Sequence, residues 1–252
     1  MTDVLGWRKI FAVIGPSTNT VVQPDMEAMR PSGVTNHYRS IYVENPKALS
    51  DADFMAGADK ISMGMKDALR TAITCAPDYL VLGVSAISFI GGRAGCDAFV
   101  DQVTDLTGLQ ISVGSRATVA ALQACSAMMG SIQRIAFLSP YYPVANAHVR
   151  SFFQEYGYEV KRDICLRCTS WTDIAQQPES RLVSALRELD GDDVDAIVQV
   201  GTNLSMTRLA AQAEVWLGKP VIAINTATYW HALRANGIAD QVDGFGSLLS
   251  KL

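Results

Sequence analysis

The sequence predicts an α/β protein made of two pseudo-symmetric lobes, each a four-stranded parallel sheet with helices on both faces. Three observations predict it. Short apolar runs alternate with segments of helical period along the whole chain, the pattern of parallel strands joined by crossover helices. Two of those runs, Tyr79-Leu80-Val81-Leu82 and Ala196-Ile197-Val198-Gln199-Val200, end alike: each gives way to a glycine (Gly83, Gly201) and then to small hydroxyl and amide residues. Finally, Ile111 to Leu122 can be laid over Ile222 to Leu233 without a gap, both reading as strand, small polar turn and a helix ending in Ala-Leu.

In chain order, Ile10 to Ile14 is the first strand, broken by Gly15-Pro16. Ser17, Thr18, Asn19 and Thr20 follow, residue types that cap a helix or hold an anion at its start. His37 to Val43 is the second strand. Asp53 to Ala76 is a long helix, because Phe54, Ala58, Ile61, Met65, Leu69 and Ile73 recur at helical spacing. Pro77 closes it, the Tyr79 strand follows, and Asp97 to Leu106 and Leu109 to Val113 give a helix and a fourth strand. The pattern then restarts. Thr118 to Met129 is a helix ended by Gly130, and Arg134 to Pro140 repeats the first strand and its proline, with Tyr141, Tyr142 and Asn146 behind it. Tyr158 to Cys165, Glu179 to Leu189, Ala196 to Val200, Met206 to Leu217 and Pro220 to Ile224 complete the second half as strand, helix, strand, helix and strand. Matching Ile10 with Ile135, Val81 with Val198 and Ile111 with Ile222 aligns the halves. Right-handed crossovers then leave two open sheets facing each other. The expected lobes are residues 1–116 plus 228–252 and residues 117–227, with a site between them.

A chain of 252 residues with 49% hydrophobic and 18% charged residues has the make-up of a folded α/β protein and not of a disordered one. A net charge of −4 gives no sign of nucleic-acid or anionic-membrane partners. No apolar run reaches the roughly 20 residues that span a bilayer, and the start, MTDVLGWRKIF, has no apolar signal core, so a cytoplasmic protein is expected. The cysteines Cys75, Cys96, Cys125, Cys165 and Cys168 are odd in number and lack framework spacing, which suits a reducing compartment. Cys165-Leu166-Arg167-Cys168 is a lone CxxC with no second pair or histidines nearby, and so no metal site is predicted. Gly91-Gly92-Arg93-Ala94-Gly95 fits neither a dinucleotide fingerprint nor a P-loop. Arg93 reads as a surface residue, with a substrate carboxylate as the alternative partner.

Polar residues past the ends of buried parallel strands stand where open α/β sheets bind ligands. Ser85, Thr202, Asn19 and Asn203 therefore read either as helix caps or as ligand contacts, and Tyr142 as a packing residue. Pro16-Ser17-Thr18-Asn19-Thr20, Ser139-Pro140-Tyr141 and the paired strand ends at Gly83 and Val200 together resemble the maleate isomerase and arylmalonate decarboxylase branch of the aspartate/glutamate racemase superfamily, over nearly the whole chain. The resemblance implies two flavodoxin-like lobes, an active site between them, no metal or organic cofactor, and a small carboxylate or dicarboxylate as substrate. A homo-oligomer is expected. It also implies cysteine chemistry: racemases and maleate isomerases place a thiol at each strand end, and the decarboxylase keeps the second alone. Here Val84 and Gly201 stand at those positions. A thiolate can take a proton or add to a double bond, whereas valine and glycine can do neither. What the resemblance leaves is an anion pocket. Tyr141, Ser85 and Thr202 are its candidate catalytic residues, and Ser17, Asn19, Val84, Ala86, Gly201 and Asn203 its candidate substrate contacts. The expected function is a cofactor-independent lyase or isomerase with a non-cysteine catalytic group. The alternatives are a hydrolase or hydratase with water in the space at Gly201, and a carboxylate-binding protein without activity.

Overall fold

The computed structural model describes residues 3–252; Met1 and Thr2, with which the expected first lobe opens, lie outside them. Strands β1 (Lys9–Pro16), β2 (Val34–Ile41), β3 (Tyr79–Leu82) and β4 (Ile111–Ser112) form one sheet in the order β2-β1-β3-β4. Strands β5 (Arg134–Ser139), β6 (Glu159–Cys165), β7 (Ala196–Gln199) and β8 (Val221–Ala223) form a second in the order β6-β5-β7-β8. All pairings are parallel, and the central strands are buried along almost their whole length. Two like-ordered sheets, and not one continuous sheet, carry the fold.

The halves match with a small correction. Val13 pairs with Val81 and Phe137 with Val198, so the Val81/Val198 match sets Pro16 against Pro140, Val84 against Gly201 and Ser85 against Thr202. Ile10 then corresponds to Arg134 and Ile111 to Val221, one residue from the expected matches. An uninterrupted apolar run has no alternation to fix its register, so the sequence cannot see a slip of one.

The helices are α1 (Val22–Ala28), α2 (Asp51–Ala72), α3 (Gly92–Thr107), α4 (Gly114–Met129), α5 (Pro143–Glu155), α6 (Glu179–Leu189), α7 (Thr207–Leu217), α8 (Ile224–Ala235) and α9 (Ser247–Lys251). Three local expectations change. Gly15-Pro16 does not break β1. Ile14 accepts the last bond from the β3 side, from the Gly83 N–H, so the donor that Pro16 lacks faces a side where β3 has already ended. β2 begins at Val34 and stops at Ile41, earlier than the aromatic residues suggested. α3 begins at Gly92 and not Asp97, because Gly91 takes a left-handed conformation (φ 77) and the Glu155 carboxylate accepts from the Arg93 N–H at 2.7 Å. The glycine cluster is thus a helix start. Arg93 lies at the surface over the Tyr156 ring, 5.2 Å from its centroid.

Each sheet feeds a helix into the other half. α8, which follows β8, packs on β3 and β4, while α4, which follows β4, reaches β8, and the two helices pack on one another. On this packing we propose the lobes 1–116 plus 228–252 and 117–227, with α4 and α8 exchanged. A strap also ties the halves. The Ala48 N–H donates to the Thr169 carbonyl at 2.8 Å, the Tyr142 hydroxyl to the Ala48 carbonyl at 2.6 Å, and Asn45 Nδ2 to Thr172 Oγ1 at 2.8 Å.

Candidate active site

The carboxyl ends of β1, β3, β5 and β7 converge on one pocket. Its walls are Pro16, Thr18, Asn19, Ile61, Val84, Ser85, Ala86, Tyr141, Trp171, Ile174, Gly201, Thr202 and Asn203. Of the residues predicted from sequence, Tyr141, Ser85, Thr202, Asn19, Val84, Ala86, Gly201 and Asn203 meet here; Ser17 does not. Ser17 is exposed, and its hydroxyl donates to the Val43 carbonyl and accepts from the Val43 N–H at 3.0 Å. The pocket has about 40 Å³ of free volume, room for a few waters.

Its centre is a hydroxyl pair. Ser85 Oγ and the Tyr141 hydroxyl lie 2.5 Å apart, and the Thr202 N–H donates to the same Ser85 oxygen at 3.2 Å. Tyr141 is 3% exposed and Ser85 Oγ is the sole partner of its hydroxyl among the described residues, so within the protein a buried Tyr141 proton is satisfied only by donation to Ser85. Ser85 Oγ then accepts twice, and its own proton is free for a third group. Burial pushes the Tyr141 phenol well above its ordinary pKa, against a smaller opposing pull from the Ser85 hydrogen bond. It stays protonated through neutral and mildly alkaline pH.

The amides and Thr202 bind the lobes to each other. The Thr202 hydroxyl donates to the Gly83 carbonyl at 2.9 Å and accepts from Asn19 Nδ2 at 3.2 Å. Asn19 Oδ1 accepts from the Val21 and Val22 N–H groups, each at 3.0 Å, and so starts α1 as a cap. Asn203 Oδ1 accepts from the Thr20 N–H at 3.0 Å, and Asn203 Nδ2 donates to the Trp171 carbonyl at 2.8 Å and to the Thr18 carbonyl at 3.3 Å. The Thr202 hydroxyl is therefore a clasp, and its proton is already given to a carbonyl. Behind Tyr141, its N–H donates to Ser139 Oγ at 3.1 Å, and Ser139 is tied through Asn146 to Asp163, which pairs with Arg150.

The apolar part of the lining is Ile61, Val84, Ile174 and Trp171. Phe54 of α2 backs it, 5.1 Å from Tyr141 and 5.3 Å from Trp171 between ring centroids. Trp171 crosses α2 at Gly57, where a Cβ would overlap the indole. Sequence reasoning missed Trp171 and Ile174, named Thr18 only within the cap-or-anion run after the first strand, and read Ile61 only as core. The glycine inside an otherwise regular helical pattern was the one available sign of a close approach.

Among the described residues that line the pocket there is no Cys, His, Asp, Glu, Lys or Arg. Burial pushes the Cys125 and Cys168 thiols up to about 12 and Cys165 to about 11, and raises Cys75 and Cys96. No helix in the described residues is long and apolar enough to cross a membrane.

The chain is 25% identical to a maleate isomerase of Pseudomonas putida over 249 residues, which cover 94% of this chain and 95% of that one. The Nocardia farcinica maleate cis-trans isomerase, solved as a variant with a covalently bound succinylcysteine intermediate, superposes with a TM-score of 0.85 at 20% identity, over 97% of this chain and 99% of that one. An arylmalonate decarboxylase superposes with a TM-score of 0.75 at 20% identity, over 96% of this chain and 99% of that one. The family model described as arylmalonate decarboxylase matches residues 40–249, from the end of β2 to α9. With most of its length covered, the chain belongs to the arylmalonate decarboxylase family.

Proposed function

We propose that this chain is a cofactor-independent lyase that decarboxylates a small malonate-type acid, with hydroxyl and N–H donors in place of cysteine. The carrying observation is a pocket lined by donors and apolar groups, with no titratable base among them, centred on the Ser85–Tyr141 pair. Decarboxylation needs no base to start. The bond to one carboxylate breaks, CO2 leaves, and the electron pair passes into the remaining carboxylate as an enediolate. Donors near that oxygen stabilise the developing charge. The apolar wall of Ile61, Val84 and Ile174 strips water from the departing carboxylate and raises its energy. Ser85, polarised by the Tyr141 hydroxyl behind it, gives a proton to the α-carbon, and Tyr141 replaces it. Water later reprotonates Tyr141. The raised pKa keeps the Tyr141 phenol protonated at neutral pH, so it holds a proton to pass on and is not available there as a base.

In this reading Val84 and Gly201 occupy the places where family enzymes keep thiols. Treatment with iodoacetamide, or replacement of all five cysteines by serine or alanine in protein that remains folded, is then expected to leave turnover unchanged. Loss of activity on changing one cysteine would return the chemistry to a thiol.

The second reading is isomerisation of a small unsaturated dicarboxylate, favoured by the maleate isomerase relative matched over 94% of the chain. It needs a nucleophile that adds to the double bond, and a serine hydroxyl is weak in that role without a neighbouring base. Incubation with an arylmalonate, an alkylmalonate and maleate separates the two. CO2 and monoacid from a malonate, without fumarate from maleate, is the expected result. Fumarate without CO2 would replace the first reading by the second, and saturable binding with neither product would make the site a receptor. A cytoplasmic homo-oligomer is the matching proposal for location and assembly.

A further inference from the structure

A half-buried carboxylate outside the pocket is tied to its backbone. Asp25, on α1, accepts from Thr207 Oγ1 at 3.0 Å and from Asn225 Nδ2 at 2.8 Å. The same Asn225 nitrogen donates to the Thr202 carbonyl at 2.9 Å, so both of its protons are used. Asn225 is 2% exposed. Burial pushes the Asp25 carboxyl up, against smaller pulls from its Asn225 and Thr207 hydrogen bonds. Protonated or ionised, it still accepts.

What this arrangement holds is the middle of a turn. The Leu204 N–H donates to the Gly201 carbonyl at 3.1 Å, which makes Gly201 to Leu204 a four-residue turn with Thr202–Asn203 as its central peptide. Types I and II of such a turn differ by a flip of that one peptide, and the second needs a positive φ at its third residue. Asn203 is not among the residues with positive φ here, so the turn is in the first state. Asparagine is nevertheless one of the few residues that tolerate the left-handed state, so the flip is within reach. In a trans peptide the carbonyl and the following N–H point opposite ways. With the Thr202 carbonyl drawn back to Asn225, the Asn203 N–H faces forward. After a flip, a carbonyl oxygen would face forward instead, and would repel an anion.

We propose that Asp25 is a positioning residue which, through the Asn225 amide, locks the Thr202–Asn203 peptide with its N–H toward the substrate carboxylate. The kinetic part of this inference rests on the decarboxylase reading above; the peptide orientation does not. Asp25→Ala and Asn225→Leu are expected to lower kcat about a hundredfold, the scale of losing one oxyanion donor, with a smaller change in KM. Asp25→Asn keeps an acceptor for Asn225 and a donor toward Thr207 Oγ1, and is expected to restore most of the activity. The double variant is expected to be no worse than Asn225→Leu alone, because Asp25 acts through Asn225. Crystal structures of Asp25→Ala and Asn225→Leu, with malonate calorimetry, read the orientation directly: a flipped or mixed Thr202–Asn203 peptide and weakened malonate binding are expected. The proposal is overturned if the peptide keeps its orientation in both variants, or if kcat in both stays within threefold of the parent. Should the parent decarboxylate nothing, the decarboxylase reading falls, and the peptide orientation and malonate affinity of the variants still decide the role of Asp25. If Asp25→Ala fails to fold, Asn225→Leu carries the same test.

Discussion

Tyr141→Phe is expected to lower turnover on a malonate-type substrate by about a hundredfold or more, with a much smaller change in KM. The ring keeps its contact with Phe54, and Ser85 keeps its bond from the Thr202 N–H, so the variant loses one hydroxyl and little packing. Its folding stability is expected to move by about 1 kcal/mol or less. What disappears is the donor behind Ser85, on which both the polarisation of the Ser85 proton and its replacement depend. Because burial raises the Tyr141 pKa, the parent enzyme is expected to show no fall in kcat from Tyr141 ionisation as pH rises from neutral to mildly alkaline. Steady-state kinetics across that range, with thermal melts of both proteins, check the prediction. Unchanged kcat with weaker substrate binding would remove Tyr141 from the chemistry.

Gly201→Ala is expected to be the most damaging small substitution in the pocket. Gly201 has φ +117, a conformation that costs an L-residue about 1–3 kcal/mol, and a Cβ there would overlap the Pro140 ring. Overpacking against a rigid proline adds about 1–3 kcal/mol. A fall in Tm of roughly 5–15 °C is expected for a chain of this size. The turn from Gly201 to Leu204 would shift with it, taking turnover down as well. Gly201→Cys meets the same obstacle, so a thiol cannot be placed at this position without rebuilding the turn. Val84→Cys carries no such strain and is expected to fold, at a cost of about 1 kcal/mol for the lost methyl. Differential scanning calorimetry of the three variants decides; a Gly201→Ala protein that melts with the parent would show that the loop adapts freely.

The frame of the site was legible because strands buried on both faces read as plain apolar runs, and because both copies of the run end in glycine and small polar residues. That placed Ser85, Thr202, Asn203 and Gly201 at one locus, and the repeated proline placed Tyr141. The direction of each polar group was not legible. Thr202 and Ser85 look alike in sequence, yet one hydroxyl is committed to the Gly83 carbonyl and the other has a proton to spare. Ser17 stands where Tyr141 stands in the other half, but its short side chain is satisfied by the Val43 backbone and never reaches the pocket. Trp171 lies in a connection without periodicity, and Asp25 and Asn225 are 200 residues apart and meet only through the fold. No local pattern encodes such meetings.

Because α4 starts at Gly114, just past the end of β4 at Ser112, and α8 at Ile224, directly after the end of β8 at Ala223, neither crossing has slack. Gly114 also lies so near Ile224 and Thr228 that a Cβ there would overlap the Ile224 side chain. Hinge closure needs a few residues that can absorb a large change in φ and ψ. Here the crossings are two helices packed on one another, so the two halves are not expected to swing apart as jaws. Ligand entry is expected to come from the Asn45–Ala48 strap peeling off Tyr142, Thr169 and Thr172, a local step that breaks four hydrogen bonds and leaves both sheets in place. The protein would then present its hydroxyl and N–H donors at nearly constant spacing throughout a turnover, and its substrate range would be set by what slips under a short flap.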